Sequence, residues 1–160
     1  MRPTKDDYYI RVARVIAKRS TCLRRQYGAV VVKDDRIVST GYNGAAKGEE
    51  NCCDIGKCKR EELHIPHGKE YEKCRAVHAE MNAVINGNAA DMKGATLYLA
   101  GFEYGKPIKD AAPCELCSRV IVNAGIAKVV TAEGSHYIRK KDEINEAVKN
   151  LRHKCDECSS

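Results

Sequence analysis

The chain is poor in the large aromatic residues that proteins use to stack single-stranded bases. Its 160 residues include no tryptophan and one phenylalanine, although eight tyrosines are present. Because stacking platforms depend on aromatic side chains, this composition argues against a nucleic-acid partner. The net charge of +6 suits a phosphate-bearing ligand, but a surplus of this size is also common on ordinary solvated surfaces.

Long apolar runs are also missing from the sequence. A membrane-spanning helix needs about 20 consecutive apolar residues, and charges interrupt the apolar positions of the N-terminal segment MRPTKDDYYIRVARVIAKRS. We therefore predict neither a signal peptide nor a membrane span, and we expect a cytoplasmic protein. With 43% apolar residues, a chain of this length can bury one core, which predicts a single domain over residues 1–160.

Helical and strand patterns alternate along the chain. Thr4 and Asp7 form a capping box that begins the first helix, and the other elements follow from the period of the apolar residues. The predicted helices cover residues 5–19, 77–86, 114–124 and 144–151, and the predicted strands cover residues 28–32, 36–42, 95–100 and 128–132. This alternation indicates an α/β domain with helices on both faces of a central sheet.

Two short motifs carry the chemistry. His78 and Glu80 belong to a His-Ala-Glu triplet at one predicted helix start, and Cys114 and Cys117 belong to Pro-Cys-Glu-Leu-Cys at another. One histidine and two cysteines form a three-ligand set for Zn²⁺, which leaves the open position that a catalytic zinc keeps for water. A helix N-terminus favours the thiolate form that both cysteines need in order to bind the metal.

Glu80 follows His78 by two residues, so its carboxylate is expected beside the metal. Zinc lowers the pKa of bound water to roughly 7, and a neighbouring carboxylate can then move a proton to a ring nitrogen and to departing ammonia. H-x-E with P-C-x-x-C is the known signature of zinc nucleobase deaminases. A structural zinc knuckle completed by a fourth cysteine is the alternative, but the His-Ala-Glu triplet and Pro113 favour catalysis.

Longer stretches around these motifs resemble a known family. CRAVHAEMNAVI and APCELCSRVIVNAGI resemble the cytidine deaminase superfamily, while TCLRRQYGAVVVKDDRIVSTGYNG, NCCD and HAEMNA narrow the resemblance to deoxycytidylate (dCMP) deaminases over about residues 8–131. The resemblance implies a three-layer α/β/α cytidine-deaminase-like fold with a central mixed sheet of about five strands. It also implies zinc-dependent hydrolysis of dCMP to dUMP and ammonia, which supplies dUMP for thymidylate synthesis.

The resemblance further implies a homo-oligomer, commonly a hexamer, that is regulated by dCTP and dTTP, with Mg²⁺ accompanying the triphosphate effector. The zinc ligands, the proton shuttle and a sugar contact of the family correspond to His78, Cys114 and Cys117, to Glu80 and to Asn43, respectively. Ala79 is a further candidate for substrate binding. Arg24 is our candidate for the 5′-phosphate, because a guanidinium binds phosphate bidentately. For Asn43 and Arg24, a turn residue and a surface arginine are the structural alternatives.

The nine cysteines exceed what one catalytic site can use. Without an export signal they indicate reduced thiols and metal ligation rather than disulfides. We expect a second, structural zinc in the cysteine-rich segment 49–74, which we call the insertion; some members of the family carry such a zinc. The predicted ligands are Cys22, Cys52, His67 and Cys74, with Cys53 and Cys58 as alternates. Idle thiols are the alternative, and the tail 152–160, with Cys155 and Cys158, is expected to be mobile and silent.

One segment departs from the family pattern. Residues 101–112, GFEYGKPIKDAA, are longer than the short turn that dCMP deaminases usually have before the C-x-x-C helix. Because this connection borders the base pocket, we expect it to act as a lid or to change the substrate. The alternatives that remain are another cytosine or adenine nucleoside or nucleotide, including adenosine in tRNA, and a non-catalytic zinc-stabilised module that binds nucleic acid.

Overall fold

The computed structural model describes residues 1–132 and 136–138. The helices are α1 (Lys5–Ala17), α2 (Cys52–Ile55), α3 (Lys59–Glu62), α4 (Ala79–Asn86), α5 (Ala89–Met92) and α6 (Glu115–Asn123). The strands are β1 (Arg25–Lys33), β2 (Arg36–Tyr42), β3 (Gly44–Ala45), β4 (Ala76–Val77), β5 (Thr96–Glu103), β6 (Lys106–Pro107), β7 (Lys128–Thr131) and β8 (His136–Ile138).

The predicted helix 144–151 and the tail with Cys155 and Cys158 lie outside the described residues. Within the described ranges, every helix is too short or too polar to reach across a bilayer.

The central sheet has five main strands in the order β2-β1-β5-β7-β8, and the short β6 pairs with β5. Strands β5 and β7 run parallel, whereas the other pairs in this sheet are antiparallel. A separate two-stranded ribbon joins β3 to β4 just before the start of α4. The mixed sheet of about five strands that the resemblance implied is therefore confirmed.

Successive side chains of each central strand point to opposite faces of the sheet, as the pleat requires. One face packs against α1, and its buried members include Tyr9, Ile10, Ala13, Val30, Val32, Tyr98 and Val130. The other face packs against α4 and α6, and its buried members include Ala29, Val31, Ala83, Leu97, Leu99, Ile121 and Val129. Helices therefore cover both faces of the sheet, which confirms the predicted three-layer arrangement.

Two glycines let the helices lie directly on the strands. A Cβ atom at Gly28 would overlap backbone atoms of Ala13 in α1, and a Cβ atom at Gly41 would overlap backbone atoms of Ala79 and Ala83 in α4. A hydrogen bond also holds helix α4 to β2, because Nδ2 of Asn82 in α4 donates to the Tyr42 carbonyl at 2.8 Å. The start of α4, where the candidate chemistry lies, is thereby fixed to β2.

Local signals explain the first helix and the first hairpin. Helix α1 ends two residues before its predicted end, and the predicted cap is confirmed because the Thr4 hydroxyl accepts the Asp7 N–H at 3.1 Å. Asp34 and Asp35 join β1 to β2 with φ angles of 50° and 61°. Two successive residues with positive φ are the mark of the type I′ turn that suits the twist of a two-residue hairpin.

Strand β5 is longer than predicted. It continues from Thr96 to Glu103, and Tyr104 with Gly105 then makes a tight turn into β6. The prediction of a strand ending near residue 100 was wrong because Gly101 interrupts the apolar run, although it still pairs opposite Tyr27 of β1. Residues 101–107 therefore form a hairpin on the sheet instead of an irregular loop.

The insertion is folded and tied to the rest of the chain. It contains α2, α3 and a 3₁₀ turn at Tyr71–Lys73. The Cys53 N–H donates to the Thr21 carbonyl at 3.1 Å, which links α2 to the segment before β1. Within the insertion, the Arg60 guanidinium donates to the carbonyls of Glu70 and Pro66 at 2.7 and 2.9 Å.

Candidate active site

Three side chains that can bind a metal meet where α4 and α6 begin. His78 is the residue immediately before α4, and Cys114 is the residue immediately before α6, with Cys117 in the first turn of α6. Helices α4 and α6 pack against each other. We call His78, Cys114 and Cys117 the ligand trio.

The geometry of the ligand trio fits a tetrahedral metal site. The Nδ1 atom of His78 lies 3.5 Å from Sγ of Cys114 and 3.2 Å from Sγ of Cys117, and all three candidate ligand atoms lie within 4.8 Å of one another. Zn–N and Zn–S bonds of ordinary length that meet at a tetrahedral angle place their ligand atoms about 3.6 Å apart. The ligand trio therefore has the donor set and the approximate spacing of a zinc site.

The two cysteines of the ligand trio share a proton unequally. The pKa of Cys114 is lowered to about 4, chiefly by a hydrogen bond with the Cys117 thiol and also by one with His78, against the raising effect of burial. The pKa of Cys117 is raised, because its thiol makes that hydrogen bond and is buried. The Cys117 N–H also donates to the Cys114 sulfur at 3.5 Å. Cys114 is therefore prepared as a thiolate, and binding of a metal ion would release the proton of Cys117.

Glu80 lies in the first turn of α4, beside the ligand trio. Its side chain is 5% exposed, and burial raises the pKa of its carboxyl. The charge of His78 and the neighbouring Cys117 thiol act in the opposite direction and lower this pKa. A buried carboxyl of raised pKa next to a metal site is the arrangement that a proton shuttle requires.

His78, Cys114 and Glu80 line a cavity of about 520 Å³. A volume of this size lies within the range of small-molecule sites. The wall combines the start of β1, the insertion and the starts of α4 and α6. Besides His78, Glu80 and Cys114, its lining residues include Arg24, Arg25, Tyr27, Asn43, Arg60, His67, Tyr71 and Ala79.

Asn43 lies on this wall and is 7% exposed. Its Oδ1 atom accepts hydrogen bonds from the Ser20 hydroxyl at 2.6 Å and from the Tyr27 N–H at 2.7 Å. Its Nδ2 atom donates to the Arg25 carbonyl at 2.8 Å, which leaves one amide N–H for the cavity. Asn43 thus anchors the start of β1, and its contact with a sugar stays a prediction.

The other two predicted substrate contacts also lie on the cavity wall. Ala79 is fully buried in the first turn of α4, so its backbone is what it can offer to a ligand. Arg24 is half-buried, and its carbonyl accepts the Tyr104 N–H at 3.0 Å. The structure therefore gathers Arg24, Asn43 and Ala79 around one cavity.

Sequence reasoning missed two residues of the insertion that reach this cavity. The Tyr71 ring meets the His78 ring edge-on, with centroids 5.0 Å apart. The Arg60 guanidinium lies over the Tyr71 ring, 5.0 Å from the ring centroid. No periodicity in the insertion marks either residue, and the only signal was the presence of an arginine and an aromatic residue near the metal-binding motif.

Four cysteines outside the ligand trio are neighbours in the fold. Burial raises the pKa of the Cys22 thiol, and Cys74 and Cys58 raise it further. Burial likewise raises the pKa of the Cys52 thiol, and the neighbouring Cys22, Cys58 and Cys74 raise it further. We call Cys22, Cys52, Cys58 and Cys74 the cysteine quartet. Within the described ranges, the ligand trio is the one group of three or more potential metal ligands whose atoms all lie within 4.8 Å of one another. The sulfur atoms of the cysteine quartet therefore lie farther apart than that.

The remaining candidates for a second metal site lie elsewhere. The Nε2 atom of His67 is 3.0 Å from Nη1 of Arg25, at the mouth of the cavity. Cys53 is exposed, and its nearest partner is the Asp54 carboxylate at 3.6 Å. The structure therefore brings Cys58 to the other predicted thiols, and it places His67 beside an arginine.

The fold and the ligand trio together place this chain in the cytidine deaminase class. A family model described as the cytidine and deoxycytidylate deaminase zinc-binding region matches residues 3–133. Among solved structures, the apo dCMP deaminase of cyanophage S-TIM5 superposes with a TM-score of 0.55 at 27% identity, covering 82% of this chain and 84% of that one.

Sequence relatives identify the family of this chain within the cytidine deaminase class. The deoxycytidylate deaminase of Mycobacterium phage D29 is 40% identical over 134 residues, which cover 81% of this chain and 94% of the phage protein. The deoxycytidylate deaminase of Schizosaccharomyces pombe is 38% identical over 130 residues, which cover 81% of this chain and 37% of the yeast protein. The chain belongs to the deoxycytidylate deaminase family, and it spans well under half the length of its relative in S. pombe.

Proposed function

We propose that this protein catalyses the zinc-dependent hydrolysis of dCMP to dUMP and ammonia. The observation that carries the proposal is the buried carboxyl of Glu80 beside a ligand trio that fits zinc. Support also comes from the relatives, which are deoxycytidylate deaminases. The S-TIM5 dCMP deaminase, at 26% identity and a TM-score of 0.55, has been crystallised with dCMP and dUMP.

In this mechanism His78, Cys114 and Cys117 would hold the metal. When bound, zinc supplies a Lewis acid that lowers the pKa of water at the reacting carbon. Glu80 would take a proton from the attacking water and deliver it to N3 of cytosine. It would then take the second proton, from the hydroxyl newly bound to C4, and give it to the departing amino group. The C4–N bond breaks, a C4=O bond forms, and one water is consumed for each ammonia released.

The cavity wall supplies the substrate contacts. We assign the deoxyribose to the free amide N–H of Asn43 and the base edge to the backbone of Ala79, because both line the cavity next to Glu80. Arg24 is assigned to the 5′-phosphate, since this arginine lines the same wall and a guanidinium binds phosphate bidentately. These contacts would favour a mononucleotide over a longer nucleic acid.

The test is ammonia release from dCMP, CMP, deoxycytidine and dCTP by zinc-loaded protein, with Glu80→Gln as the matched variant. We expect dCMP to react fastest and Glu80→Gln to lose about 10²–10⁴-fold in turnover while it retains zinc. Turnover of a different nucleotide would support the alternative substrates. Stoichiometric zinc without any turnover, combined with nucleic-acid binding that Glu80→Gln leaves unchanged, would support the non-catalytic module.

A second, structural zinc is proposed at the cysteine quartet, with Cys58 in place of His67. Burial raises the pKa of the Cys22 thiol, and the backbone N–H groups of Arg24 and Arg25 act against it by favouring the thiolate. Arg75 lies near enough to lower the pKa of Cys52, and its buried Nε has no hydrogen-bond partner among the described residues. Positive charge and free N–H groups of this kind stabilise thiolates around a metal.

Zinc content tests this second site. We expect two zinc ions per chain in the unmodified protein, one in Cys58→Ser, and two in the matched variant Cys53→Ser, whose thiol is exposed. The ion would draw the four sulfur atoms together to about 3.8 Å, the spacing of a closed tetrahedral site. A single zinc in folded, active protein would contradict the proposal.

The quaternary and regulatory properties are proposed from the family likeness. We propose a single domain that forms a homo-oligomer, favouring a hexamer, with dCTP and dTTP as effectors and Mg²⁺ as the companion of the triphosphate. Light scattering during size exclusion measures the subunit number. Initial rates with dCMP, with and without each effector and Mg²⁺, measure the regulation, and rates that no effector changes would contradict it.

A further inference from the structure

Arg60 is a buried cation without a carboxylate partner. Its side chain is 4% exposed, and it forms none of the ion pairs found among the described residues. Two of its N–H groups donate to the carbonyls of Glu70 and Pro66, so three of the five guanidinium N–H groups remain. A buried charge without a counter-ion is costly, and a cavity that such a charge lines is suited to an anion.

The neighbourhood of Arg60 is also positive. Arg24 and Arg25 line the same cavity, and Arg25 is paired with Glu103 at 2.7 Å. His67, which contacts Arg25, has a pKa lowered by partial burial and then by the charges of Arg25 and Arg24, with a smaller effect of Arg60. Several cations therefore line the cavity together, and the carboxylate of Glu103 pairs with one of them. Glu70, Glu72 and Asp110 also line the cavity, but none of them forms an ion pair with Arg60 among the described residues.

The position of Arg60 relative to the reacting centre suits a phosphate. Its guanidinium is separated from the His78 ring by the Tyr71 ring, with steps of 5.0 Å on each side. In a nucleotide, the base and the sugar separate the carbon that loses its amino group from the 5′-phosphate. A phosphate group must therefore lie along the cavity at a distance from the ligand trio, as Arg60 does.

We infer that the insertion completes the phosphate-binding subsite to which Arg24 was assigned, with Arg60 as its buried anchor and with His67 and Arg25 at its mouth. The ligand is the 5′-monophosphate of a pyrimidine nucleotide, which the planar guanidinium holds through two charge-assisted hydrogen bonds. This inference rests on the proposed function. It makes Arg60 a specificity-determining residue, which separates dCMP from deoxycytidine.

The experiment compares kcat/KM for dCMP with kcat/KM for deoxycytidine. We expect Arg60→Met to lower the ratio of the two values by about 10- to 100-fold, the effect of losing hydrogen bonds to a charged group. The matched control Arg36→Met removes an exposed arginine of β2 and should leave the ratio unchanged. An equal fall for both substrates would mean that Arg60 merely supports the insertion, and that result, like an unchanged ratio, would overturn the inference.

Two further measurements keep the inference testable if Arg60→Met does not fold or if the protein does not turn over dCMP. Arg60→Lys and His67→Gln retain more of the local structure, and each should lower the same ratio, whereas no change in either would overturn the inference. Calorimetric binding of dUMP against deoxyuridine requires no catalysis. Tighter binding of dUMP that Arg60→Lys abolishes would support the subsite even if the proposed deamination fails, and equal binding of the two compounds would refute it.

Discussion

The ligand trio and the cysteine quartet are both rich in thiols, but they are assembled in different ways. The ligand trio comes from two helix starts that pack against one sheet, and its atoms already lie within 4.8 Å of one another. The quartet comes from the segment before β1, the two short helices of the insertion and the end of the 3₁₀ turn. A regular scaffold thus places ligands before a metal arrives, whereas the insertion depends more on the metal for its final geometry.

The largest effect should come from removing a ligand of the trio. We expect Cys114→Ser to abolish turnover and to reduce the zinc content from two ions to one, because the quartet keeps its own ion. Atomic absorption and ammonia release measure the two effects on the same sample. Loss of both ions from a folded variant would show that the two sites are not independent.

Removal of zinc by a chelator should separate the two regions. We expect amide exchange in the insertion to rise strongly, while the amides of β1 and β5 stay protected by the sheet. Hydrogen exchange followed by mass spectrometry measures this difference segment by segment. Unchanged exchange in residues 49–74 after complete zinc removal would mean that the insertion is held by its hydrogen bonds alone.

A change at Gly41 should affect the scaffold of the trio. Because a Cβ atom there would overlap the backbone of α4, we expect Gly41→Ala to cost about 1–3 kcal/mol and to lower turnover by shifting Glu80. Gly48→Ala is the control, since its Cβ would meet open space at a φ of 87°, and it should cost about 1 kcal/mol without affecting kcat. Urea unfolding and initial rates measure the two effects, and equal turnover of the two variants would refute the explanation.

The smallest effect concerns pH and the pair formed by Arg25 and Glu103. A hydrogen bond with Arg25 lowers the pKa of Glu103 below its usual value of 4.5. The folded state therefore gains stability above that value and loses it as the pH falls through the lower pKa. Because Glu103 is partly exposed, we expect less than about 0.5 kcal/mol. Denaturation between pH 3 and 6 should show this loss in the parent protein and not in Glu103→Gln.

The sequence predicted the scaffold of the trio well because the signals there are local. The capping box at Thr4, the apolar periods of the strands and the C-x-x-C spacing each act within a few residues. Helix α4 begins two residues later than predicted because His78 caps the helix and does not belong to it. These errors at boundaries do not move the ligands.

The insertion was harder to predict because its contacts join distant residues. His67 was placed in the second metal set since histidines and cysteines often ligate together, but the fold sets it against Arg25, 42 residues earlier. Arg60 and Tyr71 reach the cavity through tertiary contacts that no short pattern encodes. The extension of β5 past Gly101 likewise depends on its pairing with β1.

The close contact between α4 and β2 has a consequence for how the protein can change over time. Gly41 faces the backbone of Ala79 and Ala83, so the spacing between this helix and the sheet is set by main-chain atoms. Substitutions that enlarge or shrink side chains elsewhere in the core therefore change the position of Glu80 little. The hydrophobic layers can drift in sequence while the proton-transferring carboxyl stays in place.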